Sequence, residues 1–124
     1  MNRHEKALGI LHSGTVIPAI PLVLDKNRCF DEQGQRRLVR YYLNAGVGGV
    51  AVGVHTTQFE IRKPEINLLE PVLSVTAEEI AAFEKVSGKT IVRVSGVCGK
   101  SEQACREAAL AKRLGYDAVL LSPG

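Results

Sequence analysis

TIVRVSGVCGKSEQACREAALAKRLGYDAVLL, residues 90–121, contains one complete strand-helix-strand unit. The apolar runs Thr90 to Val94 and Asp117 to Leu121 have the length of buried strands, and Ser101 offers an N-cap for the helix between them. Gly115 supplies the stop signal of that helix. Small side chains that let a helix lie close to a sheet recur at four- and three-residue spacing, at Ala104, Ala108 and Ala111.

The same alternation of short apolar runs and helical segments extends through the rest of the chain. Val16 to Leu24 is predicted to be the first strand, with Pro18 and Pro21 near its end because proline cannot donate a ladder hydrogen bond. Asp31 is expected to cap the next helix, which ends at Ala45-Gly46 before a second strand, Gly49 to Val54. The predicted apolar face of that helix carries Leu38, Tyr42 and Ala45.

Pro71 interrupts the helical pattern that precedes the third strand, so the main helix is expected only after it. Ile80, Phe83 and Val86 then recur at three-residue spacing, and Ser87-Gly88 ends the helix. The pattern thus predicts about four strands and three helices in parallel βα units.

Strands without polar alternation are typical of parallel sheets that are covered on both faces. Periodicity alone leaves two arrangements open, a half of a (β/α)8 barrel and a flat layered sheet. Because a complete barrel needs about 250 residues and this chain has 124, we expect residues 1–124 to be a single partial domain, the first four βα units, ending before a fifth strand.

Composition excludes several classes of function. The chain is 45% hydrophobic, 23% charged and has a net charge of +3, and its basic residues are scattered pairs, so neither disorder nor nucleic-acid binding is expected. Met1 to Ser13 resembles neither a signal peptide nor a spanning helix. The three cysteines have no disulfide or metal spacing, which is typical of reduced thiols in a cytoplasmic protein.

Cofactor motifs are also missing from the sequence. Gly46-Val47-Gly48-Gly49 precedes a strand and does not open a helix, so its glycines indicate a turn and not a dinucleotide loop. The three histidines are far apart, and no pair has metal-ligand spacing. We therefore expect neither a cofactor nor a metal.

Functional groups of parallel α/β folds collect where the strands end, because the carboxyl ends of the strands form the crevice or the barrel mouth. Four stretches of this chain fall there: Pro21 to Arg28, His55 to Arg62, Ser95 to Lys100 and Ser122 to Gly124. The second is the richest, since it places a histidine, two threonines and a carboxylate directly after an apolar strand.

Several stretches together resemble the dihydrodipicolinate synthase and N-acetylneuraminate lyase family. They are Gly14 to Asp25, Ala45-Gly46-Val47, the paired threonines after the second strand, and Gly88 to Pro123. The resemblance covers nearly the whole chain. It implies an eight-stranded TIM barrel that makes or breaks a carbon-carbon bond beside a 2-oxo acid, usually pyruvate, held as a Schiff base on a lysine.

The family motif after the second strand is usually Gly-Thr-Thr-Gly-Glu. Thr56 and Thr57 match its threonines, which implies that they bind the carboxylate of the oxo acid and that Thr56 takes part in proton relay. His55 replaces the first glycine and is a further candidate for substrate binding, so the chain resembles a divergent member. Gly96 and Gly99 loosely match the glycines after the third strand.

The resemblance also implies that the Schiff-base lysine and the relay tyrosine lie beyond Gly124, on later strands. A reactive lysine needs burial or a nearby cation to lose its proton at neutral pH, and no lysine of this chain is predicted to be so placed. We therefore expect the amino-terminal portion of a lyase that is inactive alone. Its expected partners are a small 2-oxo acid and either the missing carboxyl-terminal half or a second copy.

Structural interpretations stay open beside these functional ones. In the structural interpretation, Thr56 and Thr57 are β-branched strand residues whose hydroxyls bond to nearby backbone. His55 then caps the end of the strand with a hydrogen-bonded ring nitrogen. Glu60 and Arg62 are interpreted as a solvated pair, and Cys98 as either a buried small side chain or a reactive thiol. The alternative for the whole chain is a non-catalytic α/β module that binds an anionic metabolite or a partner chain.

A half barrel would leave open strand edges. Val50, Val52, Val92 and Val119, or their neighbours, are then expected to be exposed on its apolar interior, and the isolated chain is expected to associate.

Overall fold

The computed structural model describes residues 1–54 and 59–122. Its helices are α1 (Arg3–Ser13), α2 (Glu32–Asn44), α3 (Leu69–Ser87) and α4 (Ser101–Arg113), and its strands are β1 (Gly49–Val52), β2 (Val92–Cys98) and β3 (Ala118–Ser122). A short 3-10 turn, Phe59–Arg62, lies between β1 and α3.

The strands form one parallel sheet in the order β1-β2-β3. Gly49 pairs with Val92 and Val94 with Ala118, so each strand lies beside its neighbour in sequence. Because α3 connects β1 to β2 and α4 connects β2 to β3, the described residues contain successive βα units. This confirms the predicted parallel α/β class.

The predicted first strand, Val16 to Leu24, forms only two isolated bridges, a parallel one between Ala19 and Ala51 and an antiparallel one between Leu24 and Phe30. The N–H of Ile20 donates to the Ala51 carbonyl, and the N–H of Ala51 donates to the Pro18 carbonyl, each at 2.9 Å. Pro18 has no N–H to extend the ladder towards β1, which explains why three strands form instead of four. The segment nevertheless lies in the fourth position of the sheet, beside β1.

Two clusters of apolar side chains fill the space between the sheet and the helices. Val50 packs with Val39 and Leu43 of α2 and Ile80 of α3, whereas Val52 packs with residues of α3 and with Tyr116. Burial of Val50, Val52 and Val92 is complete, so the expectation that they would be exposed was wrong. Val50 and Val52 point towards the helices, and Ala51 between them points to the opposite face.

Exposed apolar side chains occur instead on β3, the edge strand. Val119 is 47% exposed, as expected for this position, and its neighbours Leu120 and Leu121 are 55% and 61% exposed. Side chains alternate along a strand, so both faces of β3 present apolar surface.

Helix boundaries differ from the predicted ones in two places. Helix α3 begins at Leu69, two residues before Pro71, because the first-turn N–H groups have no intrahelical acceptor and proline loses nothing there. Helix α4 has Lys100 at the N-cap, so the assignment of Ser101 as the cap was wrong. Val86, predicted on the apolar side of α3, is 89% exposed.

Other boundaries follow the sequence more closely. Asp31 caps α2 as predicted, its carboxylate accepting from the N–H of Gly34 at 2.9 Å. The buried face of α2 is formed by Gln35, Val39 and Leu43, and Leu38 and Tyr42 flank it in partial burial. Strand β2 begins two residues later than Thr90 and continues beyond Val94 to Cys98.

Helix α1 was not expected from the sequence. Asn2 caps it in a reciprocal arrangement with Glu5. Arg3 at its start ion-pairs with Glu84 at 2.9 Å and with Asp117 at 2.7 Å. Since Glu84 lies near the end of α3 and Asp117 directly precedes β3, the pair of bridges fastens α1 across the amino-terminal edge of the sheet.

Within the described residues, no helix combines the length and the apolar character that crossing a bilayer would demand.

Candidate functional site

The carboxyl ends of the strands meet along one edge of the sheet. Val52 ends β1 and is followed by Gly53 and Val54, while Cys98 ends β2 and pairs with Ser122 of β3. In parallel α/β folds this edge carries the ligand sites.

His55, Thr56 and Thr57, the predicted substrate-binding residues, fall between Val54 and the 3-10 turn and lie outside the described residues. Their assigned roles therefore stay predictions. The residues that flank them in the chain, Gly53 and Arg62, are described and show how both ends of this segment are held.

A buried ion pair joins Arg62 to Glu107 of α4. The Nε of Arg62 donates to Oε1 of Glu107 at 2.8 Å, and the two side chains are only 7% and 9% exposed. The interpretation of Arg62 as half of a solvated surface pair was therefore wrong. Arg62 faces inward and contacts Glu107, which lies 45 positions further along the chain on α4.

Arg62 also reaches the ends of both neighbouring strands. Its Nη2 donates to the carbonyl of Gly53 at 2.6 Å and to the carbonyl of Gly96 at 3.0 Å. One guanidinium thus joins the residues after β1, the middle of β2 and helix α4.

The carboxylate of Glu107 is satisfied by three groups. Besides Arg62, it accepts from the backbone N–H of Cys98 at 3.1 Å and from Nε2 of Gln103 at 2.8 Å. Burial of a carboxylate is tolerated when it is paired and hydrogen-bonded in this way. Glu107 and Gln103 were not among the predicted site residues, and no local sequence signal distinguishes them from solvated helix positions.

Gly96 is required by close packing. A Cβ at this position would collide with the carbonyl of Gly53 on the neighbouring strand end. Gly99 has a φ of +96°, in the region that favours glycine. The two glycines that resemble those of the family therefore have a structural reason in this chain.

Cys98 is partly buried at the end of β2. Burial raises the pKa of its thiol above the ordinary value; the positive charge of Arg62 opposes this effect and the negative charge of Glu107 adds to it. A thiol with a raised pKa is a poor nucleophile at neutral pH, which favours the packing interpretation of Cys98 over the reactive one.

All seven lysines of the chain are exposed. None of them therefore lies in the buried surroundings that activate a Schiff-base lysine. In residues 1–54 and 59–122, no three His, Cys, Asp or Glu side chains are grouped to hold a metal ion.

Comparison with known proteins finds relatives of this chain among N-acetylneuraminate lyases. N-acetylneuraminate lyase from Escherichia coli (strain K12 / DH10B) is 33% identical over 104 residues, which are 84% of this chain and 32% of the relative. The same values hold for the enzyme from E. coli O157:H7. No family model matches the chain.

Solved structures show the same relationship at the level of the fold. Dihydrodipicolinate synthase from Oceanobacillus iheyensis superposes with a TM-score of 0.73 and 18% identity, over 98% of this chain and 37% of the other. N-acetylneuraminate lyase from Mycoplasma synoviae superposes with a TM-score of 0.72 and 21% identity, over 89% of this chain and 36% of the other.

The fold places the chain in the parallel α/β class and matches about a third of the length of TIM-barrel proteins of known structure. The chain belongs to the dihydrodipicolinate synthase and N-acetylneuraminate lyase family, as the sequence resemblance indicated. It spans about a third of the length of the curated relatives that it matches.

Proposed function

We propose that this chain is the amino-terminal portion of a lyase or aldolase that acts on a pyruvate-like 2-oxo acid through a Schiff base. The observation that carries the proposal is the 33% identity to N-acetylneuraminate lyases over 84% of the chain. The arrangement of the strand ends supports it, because the segment that contains Thr56 and Thr57 begins and ends at the edge where parallel α/β proteins bind ligands.

In this proposal the two threonines bind the carboxylate of the oxo acid. Hydroxyl and backbone N–H groups are suitable donors to a carboxylate. Thr56 also relays a proton, and His55 helps to position the substrate. The replacement of the usual first glycine by His55 adds a ring near the oxo acid, so the preferred second substrate is expected to differ from those of the two namesake enzymes.

The Schiff-base lysine comes from outside these 124 residues in the proposed mechanism. Condensation of an amine with a ketone releases water and requires the unprotonated amine, which an exposed lysine rarely provides at neutral pH. The exposure of every lysine in the chain supports this assignment. The relay tyrosine is likewise assigned to the remainder of the barrel.

The proposal also includes the strands of the barrel that lie outside these 124 residues. Residues 1–124 are treated as one partial domain, and the remaining strands of the barrel pack against it to complete the site. Within the described residues β3 is an edge strand, and its exposed Val119, Leu120 and Leu121 provide the apolar surface for that contact.

The test is an intact-mass measurement after incubation with pyruvate and borohydride, which reduces an imine to a stable secondary amine. The chain is incubated alone and mixed with a separately produced carboxyl-terminal portion of a family member. We expect an adduct only in the mixture, and on the carboxyl-terminal portion. An adduct on the chain alone contradicts the assignment of the lysine, whereas folded halves without any adduct favour a non-catalytic binding module.

Substitution of the threonines tests their role in the same assay. Thr56→Val and Thr57→Val keep the side-chain shape and remove the hydroxyl, so each is expected to slow adduct formation about tenfold or more. Thr90→Val, at the opposite edge of the sheet, is the matched control. Equal rates for all three variants would remove Thr56 and Thr57 from the site.

A further inference from the structure

We propose that a cleft at the amino-terminal edge of the sheet binds the phosphate group of a small metabolite. The cleft has a volume of about 430 Å³ and lies between the start of α1, Arg93 near the start of β2, and the end of α4 with the turn into β3. It is at the opposite end of the strands from the candidate site described above, so the proposal does not rest on the proposed function.

Positive charge exceeds negative charge around this cleft. Among the described residues, the cations that line it are Arg3, Arg93 and Lys112. Two carboxylates pair with the arginines: Arg3 contacts Glu84 at 2.9 Å and Asp117 at 2.7 Å, and Arg93 contacts Glu84 at 2.9 Å. Lys112, exposed in the last turn of α4, adds a third positive charge that these two carboxylates do not balance.

Arg93 carries a hydrogen-bond donor without an acceptor. Its side chain is only 9% exposed, and Nη2 donates to Glu84 at 2.9 Å. Nη1 makes a long bond of 3.4 Å to the carbonyl of Gly115, and the buried Nε has no partner in the part of the chain that the structure describes. Buried guanidinium groups are normally fully hydrogen-bonded, so an anion in the cleft would supply acceptor atoms where the protein provides too few.

Helix α1 adds backbone donors to the same cleft. It has 11 residues, and Asn2 caps it by accepting from the N–H of Glu5 at 2.8 Å. The N–H groups of Arg3 and His4 belong to the first turn, where a helix offers no internal acceptor and the positive end of its dipole is located. Such an end favours a phosphate group, and here it lies beside the guanidinium of Arg93.

Asp117 also lines the cleft, but its charge is already paired. Oδ1 accepts from Arg3 at 2.7 Å and is 2.9 Å from a ring nitrogen of His4. Oδ2 accepts from Arg3 and from the N–H of Arg93, each at 2.9 Å. Because the side chain is only 1% exposed, an incoming anion meets the surrounding cations before it meets this carboxylate.

The shape of the cleft favours a phosphate ester over a simple carboxylate. An ammonium group, a guanidinium group and a helix start approach from three elements, which suits the several oxygens of a tetrahedral phosphate better than the two of a carboxylate. The volume of about 430 Å³ is within the range of small-molecule sites and leaves room for an organic group attached to the phosphate.

Equilibrium dialysis of the full chain against radiolabelled inorganic phosphate, at constant ionic strength, tests the site. We expect saturable binding of one phosphate per chain and about tenfold weaker binding by Lys112→Gln, which loses a charged hydrogen-bond donor. The matched control is Lys100→Gln, which makes the same charge change at the other end of α4 and is expected to bind as wild type does.

A second variant tests the buried donor. Arg93→Lys keeps the charge but loses the planar guanidinium, and it is expected to bind phosphate about tenfold more weakly. Circular dichroism checks its folding; if Arg93→Lys unfolds, the comparison of Lys112→Gln with Lys100→Gln decides, since both positions are exposed. No saturable binding by wild type, or equal binding by wild type and Lys112→Gln, would overturn the proposal.

Competition identifies the source of the phosphate group. Glycerol phosphate is expected to displace the label at a lower concentration than unlabelled inorganic phosphate does, because its organic part occupies the remaining volume of the cleft. The reverse order would contradict the assignment to a metabolite.

Discussion

Asp117 shows how a single carboxylate fastens α1 to the sheet. Its side chain is 1% exposed and accepts from Arg3 at 2.7 Å and from a ring nitrogen of His4 at 2.9 Å. Burial raises the pKa of Asp117, but the hydrogen bonds from Arg3, His4 and the N–H of Arg93 outweigh it and hold the pKa below its ordinary value. The folded chain therefore binds fewer protons at this site than the unfolded chain does.

The lowered pKa of Asp117 determines how its contribution to the free energy of unfolding depends on pH. Stabilisation by Asp117 is present above the unfolded pKa of about 3.9 and is lost as the pH falls through the lower folded value. Asp117→Asn is expected to reduce the free energy of unfolding at pH 7 by about 2 kcal/mol and to flatten its decline in acid. Urea unfolding between pH 7 and pH 3 checks this, with Glu65→Gln as an exposed control. An unchanged acid profile would show that Asp117 is not the titrating group.

Cys98 allows a prediction about reactivity at the same scale. Its pKa is raised by burial, whereas Cys29 and Cys105 are exposed. Because the thiolate is the reacting species, iodoacetamide at pH 8 is expected to modify Cys29 and Cys105 before Cys98. Peptide mapping by mass spectrometry gives the order, and initial modification of Cys98 would contradict the described surroundings of its thiol.

At the scale of the element, α3 contributes side chains to both apolar clusters. Leu73 is completely buried, whereas Val86 on the same helix is 89% exposed. Leu73→Ala removes packed atoms and leaves a cavity, so it is expected to lower the free energy of unfolding by about 3 kcal/mol. Val86→Ala, the matched control, is expected to change it by less than about 0.5 kcal/mol. Chemical denaturation measures both, and similar losses would disprove the packing of α3.

The ion pairs between α2 and α3 are expected to contribute less to stability than the apolar contacts between the two helices. Arg36 pairs with Glu78 and Glu79 at 2.7 and 2.9 Å, and Arg40 pairs with Glu79 at 2.6 Å. Glu78 is 62% exposed and Arg40 52%, so water and salt weaken these bridges. The apolar contacts beneath them, such as Val39 with Ile80, are expected to dominate the interaction between the two helices.

At the scale of the whole molecule, the edge strand β3 is expected to determine whether the isolated chain self-associates. Its edge can accept another strand, and Leu120 and Leu121 are 55% and 61% exposed. The chain is therefore expected to self-associate at micromolar concentration. Leu120→Lys is expected to increase the monomer fraction, whereas Val86→Lys, which places a charge on an exposed apolar position elsewhere, is expected to leave it unchanged. Sedimentation velocity measures the distribution, and a monodisperse wild-type monomer would refute the prediction.

Local patterns in the sequence were sufficient for the α/β class and for most elements. Asp31 caps α2 as predicted because capping depends on a side chain and an N–H three residues apart. Gly88 follows α3 and Gly115 follows α4 for similarly local reasons. Buried strands such as Gly49–Val52 were recognisable because parallel strands are apolar throughout. The family was also accessible from short motifs around the strand ends.

Tertiary structure alone decided the contacts between distant residues. Arg62 contacts Glu107 across 45 positions, and Arg3 contacts Asp117 across 114 positions. The local sequence around these residues does not indicate either ion pair. Pro18 stops a ladder only because β1 lies beside it. Helix and strand periodicity record which face of each element is apolar, whereas the partner of a buried charge depends on how the elements are placed in space.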